Sequence, residues 1–169
     1  ERWEDVYVSV VKTEDNKKYE GKNLTEIKEL RGDPDEYTTL FDLLLEEGGE
    51  VRMVTFSQNE DEMRKVMRHP LHMVGSDGRS VSPTGPLSQG KPHPRFYGTF
   101  PRILGKYVRE EDVLTLEDAV RRITSYPAQT FRIRNKGLLR KGMDADIVVF
   151  NPDTIIDRAT YQDPHNFPD

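Results

Sequence analysis

At 169 residues, with 34% hydrophobic and 33% charged side chains, the chain can bury one modest core or two small ones. A whole eight-stranded α/β barrel needs roughly 250 residues, so at most part of one fits. A net charge of −5 with 25 scattered basic residues lacks the clustered basic face of a nucleic-acid binder. No apolar run is long enough to span a membrane, which argues against a membrane partner, and the lack of cysteine removes disulfides and thiolate metal sites. The acidic opening Glu1-Arg2-Trp3-Glu4-Asp5 is unlike a signal peptide, so a cytoplasmic location is expected.

In chain order, residues 6–11 are rich in β-branched side chains and read as a strand, followed by a polar loop. Asn23 with Glu26 forms a capping box that opens a helix over 24–30, closed by Gly32. A second helix is expected with Asp33 as cap, Pro34 in its first turn and Glu36 completing the box. Its apolar face should be Tyr37, Leu40, Phe41, Leu44 and Leu45, and Gly48-Gly49 should end it. Residues 51–57 read as a strand, Asn59 and Glu62 as caps of a helix carrying Met63, Val66 and Met67, and residues 71–74 as another strand. That order predicts a parallel pair with a right-handed crossover.

Residues 79–95 form a long loop holding Pro83, Pro86, Pro92 and Pro94. Loops of that length in compact domains are usually functional or disordered. Helices are expected over 100–108 and, capped by Thr115 and Asp118, over 116–125. Gly137, Gly142 and the apolar run 147–150 suggest short strands joined by turns.

Few residues stand out as chemical. Asp77 follows the apolar run 71–74, where parallel α/β folds place their active sites. A carboxylate there can bind metal or move a proton, or it can cap a turn beside Gly78. Arg95 has the planar fork suited to a carboxylate, and an ordinary ion pair is the other reading. His93 could orient a substrate, ligate, or be structural. His69 and His72 are separated by Pro70 and would face opposite sides of a strand, so a shared metal site is not expected. The stretch Gly85-Pro-Leu-Ser-Gln-Gly90-Lys91 is close to a phosphate loop. However, Pro92 replaces the required hydroxyl residue, and no strand leads into it.

One family matches several of these motifs at once. Met73-Val74-Gly75-Ser76-Asp77-Gly78, then His93-Pro94-Arg95-Phe96-Tyr97-Gly98-Thr99-Phe100-Pro101-Arg102, closely resemble the D-aminoacylases of the amidohydrolase superfamily. The likeness continues through Leu116-Glu117-Asp118-Ala119-Val120, Thr124-Ser125-Tyr126-Pro127-Ala128, Ala145-Asp146-Ile147-Val148-Val149-Phe150 and Asp157-Arg158-Ala159-Thr160. The family's fold implies an α/β chain carrying part of a (β/α)8 barrel: the last two β/α units, an inserted α+β subdomain, and part of a small β-sandwich. The corresponding domains would be residues 1–50 (insertion), 51–130 (barrel strands, helices and active-site loop) and 131–169 (sandwich tail).

The same resemblance implies a C-terminal part of a zinc-dependent hydrolase that converts N-acyl-D-amino acids to a carboxylate and a free D-amino acid. Asp77 would take a proton from zinc-bound water, deliver it to the leaving amine and weakly ligate the metal, while Arg95 and His93 bind substrate. The family's His-x-His pair and other ligands are not found in this sequence, so this chain alone should bind no zinc and be inactive, and it could self-associate. The alternatives are another amidohydrolase, such as a cyclic-amide hydrolase, or a non-catalytic interaction module.

Overall fold

A computed structural model describes residues 2–169. Two compact units emerge, each assembled from separated stretches. One takes the chain up to Ser57 with Arg79–Phe96 and Ala159–Asn166; the other takes Gln58–Gly78, Tyr97–Arg158 and Phe167–Asp169.

In the first unit, strand β1 (Val6–Val10) pairs antiparallel with β2 (Arg52–Thr55), with Val6 opposite Thr55 and Val8 opposite Met53. This is the only sheet among the described residues. Helix α1 (Leu24–Arg31) has the expected capping box: the Glu26 N–H donates to Asn23 Oδ1 at 2.8 Å, and the Asn23 N–H donates to Glu26 Oε2 at 2.9 Å. Gly32 closes it in the left-handed region at φ 74°, which a glycine adopts without steric cost. Val8, Val11, Tyr19, Leu24, Ile27 and Leu43 form this unit's core.

Helix α2 (Glu36–Glu46) departs from expectation at both its start and its face. Its cap is Asp35, whose carboxylate accepts the Thr38 N–H at 2.8 Å. Asp33 is instead taken by Arg31 Nε and Thr39 Oγ1, both at 2.9 Å, and Glu36 bonds Lys28. The buried row is Thr39, Leu43 and Glu47, while Tyr37, Phe41 and Leu45 are exposed. The polar members of that row explain the rotation. Thr39 bonds Asp33 and the Asp35 carbonyl, and the Glu47 carboxylate accepts the N–H groups of Lys12 and Thr13, the Thr13 hydroxyl and Asn16 Nδ2. Burying those donors without an acceptor would cost more than exposing one apolar row.

In the second unit, helix α3 (Glu60–Arg68) starts where Asn59 accepts from the N–H groups of Asp61 and Glu62 and stops at His69, whose backbone turns extended before Pro70. Helix α4 (Arg95–Arg102), whose first two residues belong to the first unit, begins earlier than the expected residue 100, inside the predicted loop, and contains Pro101. It continues as a π-helix, Ile103–Glu110. Proline lacks the N–H of a regular turn, and wider π turns are a known way for a helix to proceed. Helices α5 (Leu116–Ile123, capped by Thr115) and α6 (Ser125–Thr130) follow. The core of this unit is Met67, Ile103, Leu104, Tyr107, Val113, Leu114, Ala119 and Ile155.

Neither the parallel pair nor the tail strands form. The partner of β2 is β1, antiparallel, and residues 71–74 join no ladder among the described residues. Residues 131–169 contain no strand, and Val148 and Val149 are 84% and 92% exposed. A β-branched run becomes a strand only when a neighbour takes up its N–H and C=O groups. Gly137 and Gly142 have φ of 86° and 88°, where a glycine lets the chain change direction.

Candidate active site

Asp77 lies in the second unit at the end of the 71–77 stretch, and its backbone is left-handed at φ 45°. Such a φ costs most residues energy, is better tolerated by Asp, and concentrates at functional sites. Asp77 is exposed, and the Gly78 N–H beside it donates to Ser76 Oγ at 3.2 Å.

What holds the stretch before Asp77 is a buried arginine. Arg122 on α5 is 4% exposed. Its Nη1 donates to the carbonyls of Met67 (2.8 Å), His69 (2.7 Å) and His72 (3.3 Å), and its Nε donates to Asp118 Oδ2 at 2.7 Å. The Val74 N–H in turn donates to the Arg122 carbonyl at 3.2 Å. Burial alone would raise the Asp118 carboxyl, but the bonds from Arg122 and Arg121 hold it below its ordinary value. The only sequence signal was Asp118 four residues before Arg122, one helical turn away. Burial, and then the Arg122 charge, lower the His72 imidazole from the usual histidine range, so it is neutral at pH 7.

Two of the motifs meet in the same unit. Arg102 Nη1 lies 3.1 Å from Asp157 Oδ2, and a Cβ on Gly98 would come 2.7 Å from the Asp157 Cβ. Glycine at position 98 is therefore needed for that close approach.

His93 and Arg95 belong to the first unit. The Arg95 N–H donates to His93 Nδ1 at 3.0 Å, which leaves the neutral ring's proton on Nε2, 3.2 Å from the Tyr161 hydroxyl. Tyr161 packs edge-on to His93 and to Phe56, and Phe56 to Tyr7. The imidazole is thus locked, with its proton directed at a phenol. The Arg95 guanidinium lies over the Phe96 ring. The end of the loop is anchored as well: the Lys91 N–H donates to the Ser9 carbonyl at 2.6 Å, and His165 Nε2 is 3.0 Å from the Gly90 carbonyl.

His69 is exposed, and its Nδ1 accepts the Leu71 N–H at 3.3 Å. Among the described residues no group of three or more His, Cys, Asp or Glu side chains is arranged to hold a metal ion. The described side chains do not by themselves supply the roughly three protein ligands that a zinc centre normally takes.

Comparison with known proteins identifies the class. Residues 3–169 match the amidohydrolase family, and the chain belongs to it. Among its relatives are deacylases of N-acyl-D-amino acids. An N-acyl-D-glutamate deacylase of Alcaligenes xylosoxydans xylosoxydans is 44% identical over 111 residues, which is 66% of this chain and 21% of that protein. Among solved structures, the N-acyl-D-glutamate deacylase of Bordetella bronchiseptica, complexed with zinc and a phosphonate mimic of the tetrahedral intermediate, superposes with a TM-score of 0.84. It is 36% identical, over 99% of this chain and 32% of that one. A D-aminoacylase crystal structure superposes at 0.80 with 30% identity, over 96% of this chain and 31% of that one. The fold is α/β, like these D-aminoacylase structures. The chain spans about a fifth of the curated relative and about a third of the solved chains.

Proposed function

We propose that this chain is the C-terminal part of a zinc-dependent hydrolase that cleaves N-acyl-D-amino acids to a carboxylate and a D-amino acid. The observation that carries the reading is Asp77: an exposed carboxylate on a strained left-handed backbone, at the end of a stretch clamped by a buried arginine. Its carboxylate would accept a proton from the attacking water as the C–O bond forms, then return it to the amine nitrogen as the C–N bond breaks. Arg95 would hold the α-carboxylate of the substrate, with its backbone fixed by the His93 bond and its side chain by the Phe96 ring. The zinc would be held mainly by residues outside this chain, with Asp77 as a weak further ligand.

In the whole enzyme, residues 51–110 would be the last two barrel strands and their helices, residues 1–50 an insertion, and the tail part of a β-sandwich. The unpaired, exposed run at Val148 and Val149 supports that reading, since it has the composition of a strand and lacks the neighbour.

The test is release of D-amino acid by the full-length protein with zinc. Asp77→Asn should lower kcat by about a hundredfold or more with little change in KM, while Arg95→Ala should mainly raise KM. Faster turnover of hydantoins than of acyl-D-amino acids, or normal kinetics in both variants, would refute the assignment. So would zinc-dependent turnover by the 169-residue chain alone.

A further inference from the structure

Arg95 opens helix α4, and the N–H groups of a first helical turn have no partner within the helix. The residue before it, Pro94, has no side-chain acceptor to offer. His93 supplies two: its Nδ1 accepts the Arg95 N–H at 3.0 Å, and its carbonyl accepts the Phe96 N–H at 3.1 Å. A histidine can cap in this way only while Nδ1 is bare and the ring faces the helix. The far side of the ring is held by Tyr161, 68 residues further along the chain. Its hydroxyl lies 3.2 Å from Nε2, and its ring packs edge-on to the imidazole at 5.1 Å. Tyr161 is itself placed by Phe56, at 4.5 Å between ring centres, and Phe56 by Tyr7 of β1, at 5.3 Å. Two further ties flank this one. Lys91 Nζ donates to the Gln162 carbonyl at 2.5 Å, and His165 Nε2 lies 3.0 Å from the Gly90 carbonyl. All of these groups belong to the first unit.

We propose that Tyr161 is a positioning residue for substrate binding. By accepting the His93 Nε2–H it keeps Nδ1 turned to the Arg95 N–H, and so fixes the helix start from which the Arg95 side chain projects. The inference rests on the α-carboxylate role given to Arg95 above. A fork that must meet both oxygens of a carboxylate tolerates little rotation of its own backbone, so a loosened cap weakens binding. The α-carboxylate is held alike in the ground and transition states. Loss of the Tyr161 hydroxyl therefore raises KM and leaves kcat nearly unchanged.

Tyr161→Phe removes the hydroxyl and keeps the ring between His93 and Phe56, so the variant should fold, with an unchanged circular dichroism spectrum as the check. In the 169-residue chain, hydrogen exchange at the Arg95 amide, followed by NMR, should quicken about three- to tenfold, the worth of one hydrogen bond. In the full-length protein with zinc, KM for an N-acyl-D-amino acid should rise about three- to tenfold, with kcat within about twofold of wild type. His93→Ala should raise KM at least as much. Adding Tyr161→Phe to it should change nothing further, because Tyr161 acts through the imidazole. Unchanged exchange at Arg95, an equal Tyr161→Phe effect with and without His93, or a fall in kcat at constant KM would overturn the proposal. So would an unmoved KM in Tyr161→Phe where Arg95→Ala raises it. Normal kinetics in Arg95→Ala would instead sink the carboxylate reading and this inference with it, so that variant tells the two failures apart.

Discussion

Replacing Arg122 with methionine removes the one side chain that binds three consecutive-turn carbonyls ahead of Asp77. Three carbonyls compete for the two hydrogens on Nη1, so the loss amounts to about two bonds from a charged donor, each worth roughly 1.5–3 kcal/mol. The Asp118 partner is about a third exposed and adds less. Methionine recovers some packing, and the net cost should be about 3–5 kcal/mol, the range seen when one member of a buried charged pair is removed. Arg122→Lys should cost about half of that, since an ammonium can reach one carbonyl but cannot also reproduce the Nε bond to Asp118. Urea denaturation followed by circular dichroism measures both values. A wild-type-like midpoint for Arg122→Met, or equality of the lysine variant with wild type, would show that the clamp does not hold the stretch. In the full-length protein the same variant should lower kcat more than it raises KM.

Glu47 sets an acid-sensitive element. Burial pushes its carboxyl up, but the bonds from Thr13, Asn16 and Lys12 more than reverse this and bring it down to about 2, from 4.5. A carboxyl depressed on folding stabilises fully above its unfolded value and loses that stabilisation as pH falls towards its folded value. The chain should therefore lose up to about 3 kcal/mol between roughly pH 5 and 2, and Glu47→Gln should be weaker at pH 7 and show a flatter profile; matching slopes for the two proteins would contradict this. At position 77, Asp77→Gly should fold at least as stably as wild type, and Asp77→Ala should be about 1 kcal/mol less stable, because only glycine adopts φ 45° freely. The reverse order in thermal melts would rule out backbone strain at this site.

What could be read from the sequence was what is decided within one helical turn. The Asn23–Glu26 box, the Asn59 and Thr115 caps and the stop before Pro70 each depend on atoms at most four residues apart, and all are present. The face of α2 was misjudged because its apolar row competes with Thr39 and Glu47, whose partners at Asp33 and Lys12–Asn16 come from outside the helix pattern. The start of α4 was missed because Gly98 and Pro101 are poor helix formers, and the reason for Gly98, its contact with Asp157, lies far along the chain. Strands at 71–74 and 147–150 have the composition without a ladder partner. At the candidate site, residue types were legible as motifs, but the left-handed φ of Asp77, the Arg122 clamp and the Arg95 guanidinium over Phe96 are three-dimensional facts with little sequence signature.

The interleaving of the two units constrains how such a protein can change. The chain passes from one unit to the other after Ser57, Gly78, Phe96, Arg158 and Asn166, so no single splice or protease cut yields either unit by itself. Recombination at any one of those points would separate segments of at least one unit, and a break after Gly78 or Phe96 would also part Met67 from the rest of its core. A gene of this design can exchange loops, but it must inherit its two halves together.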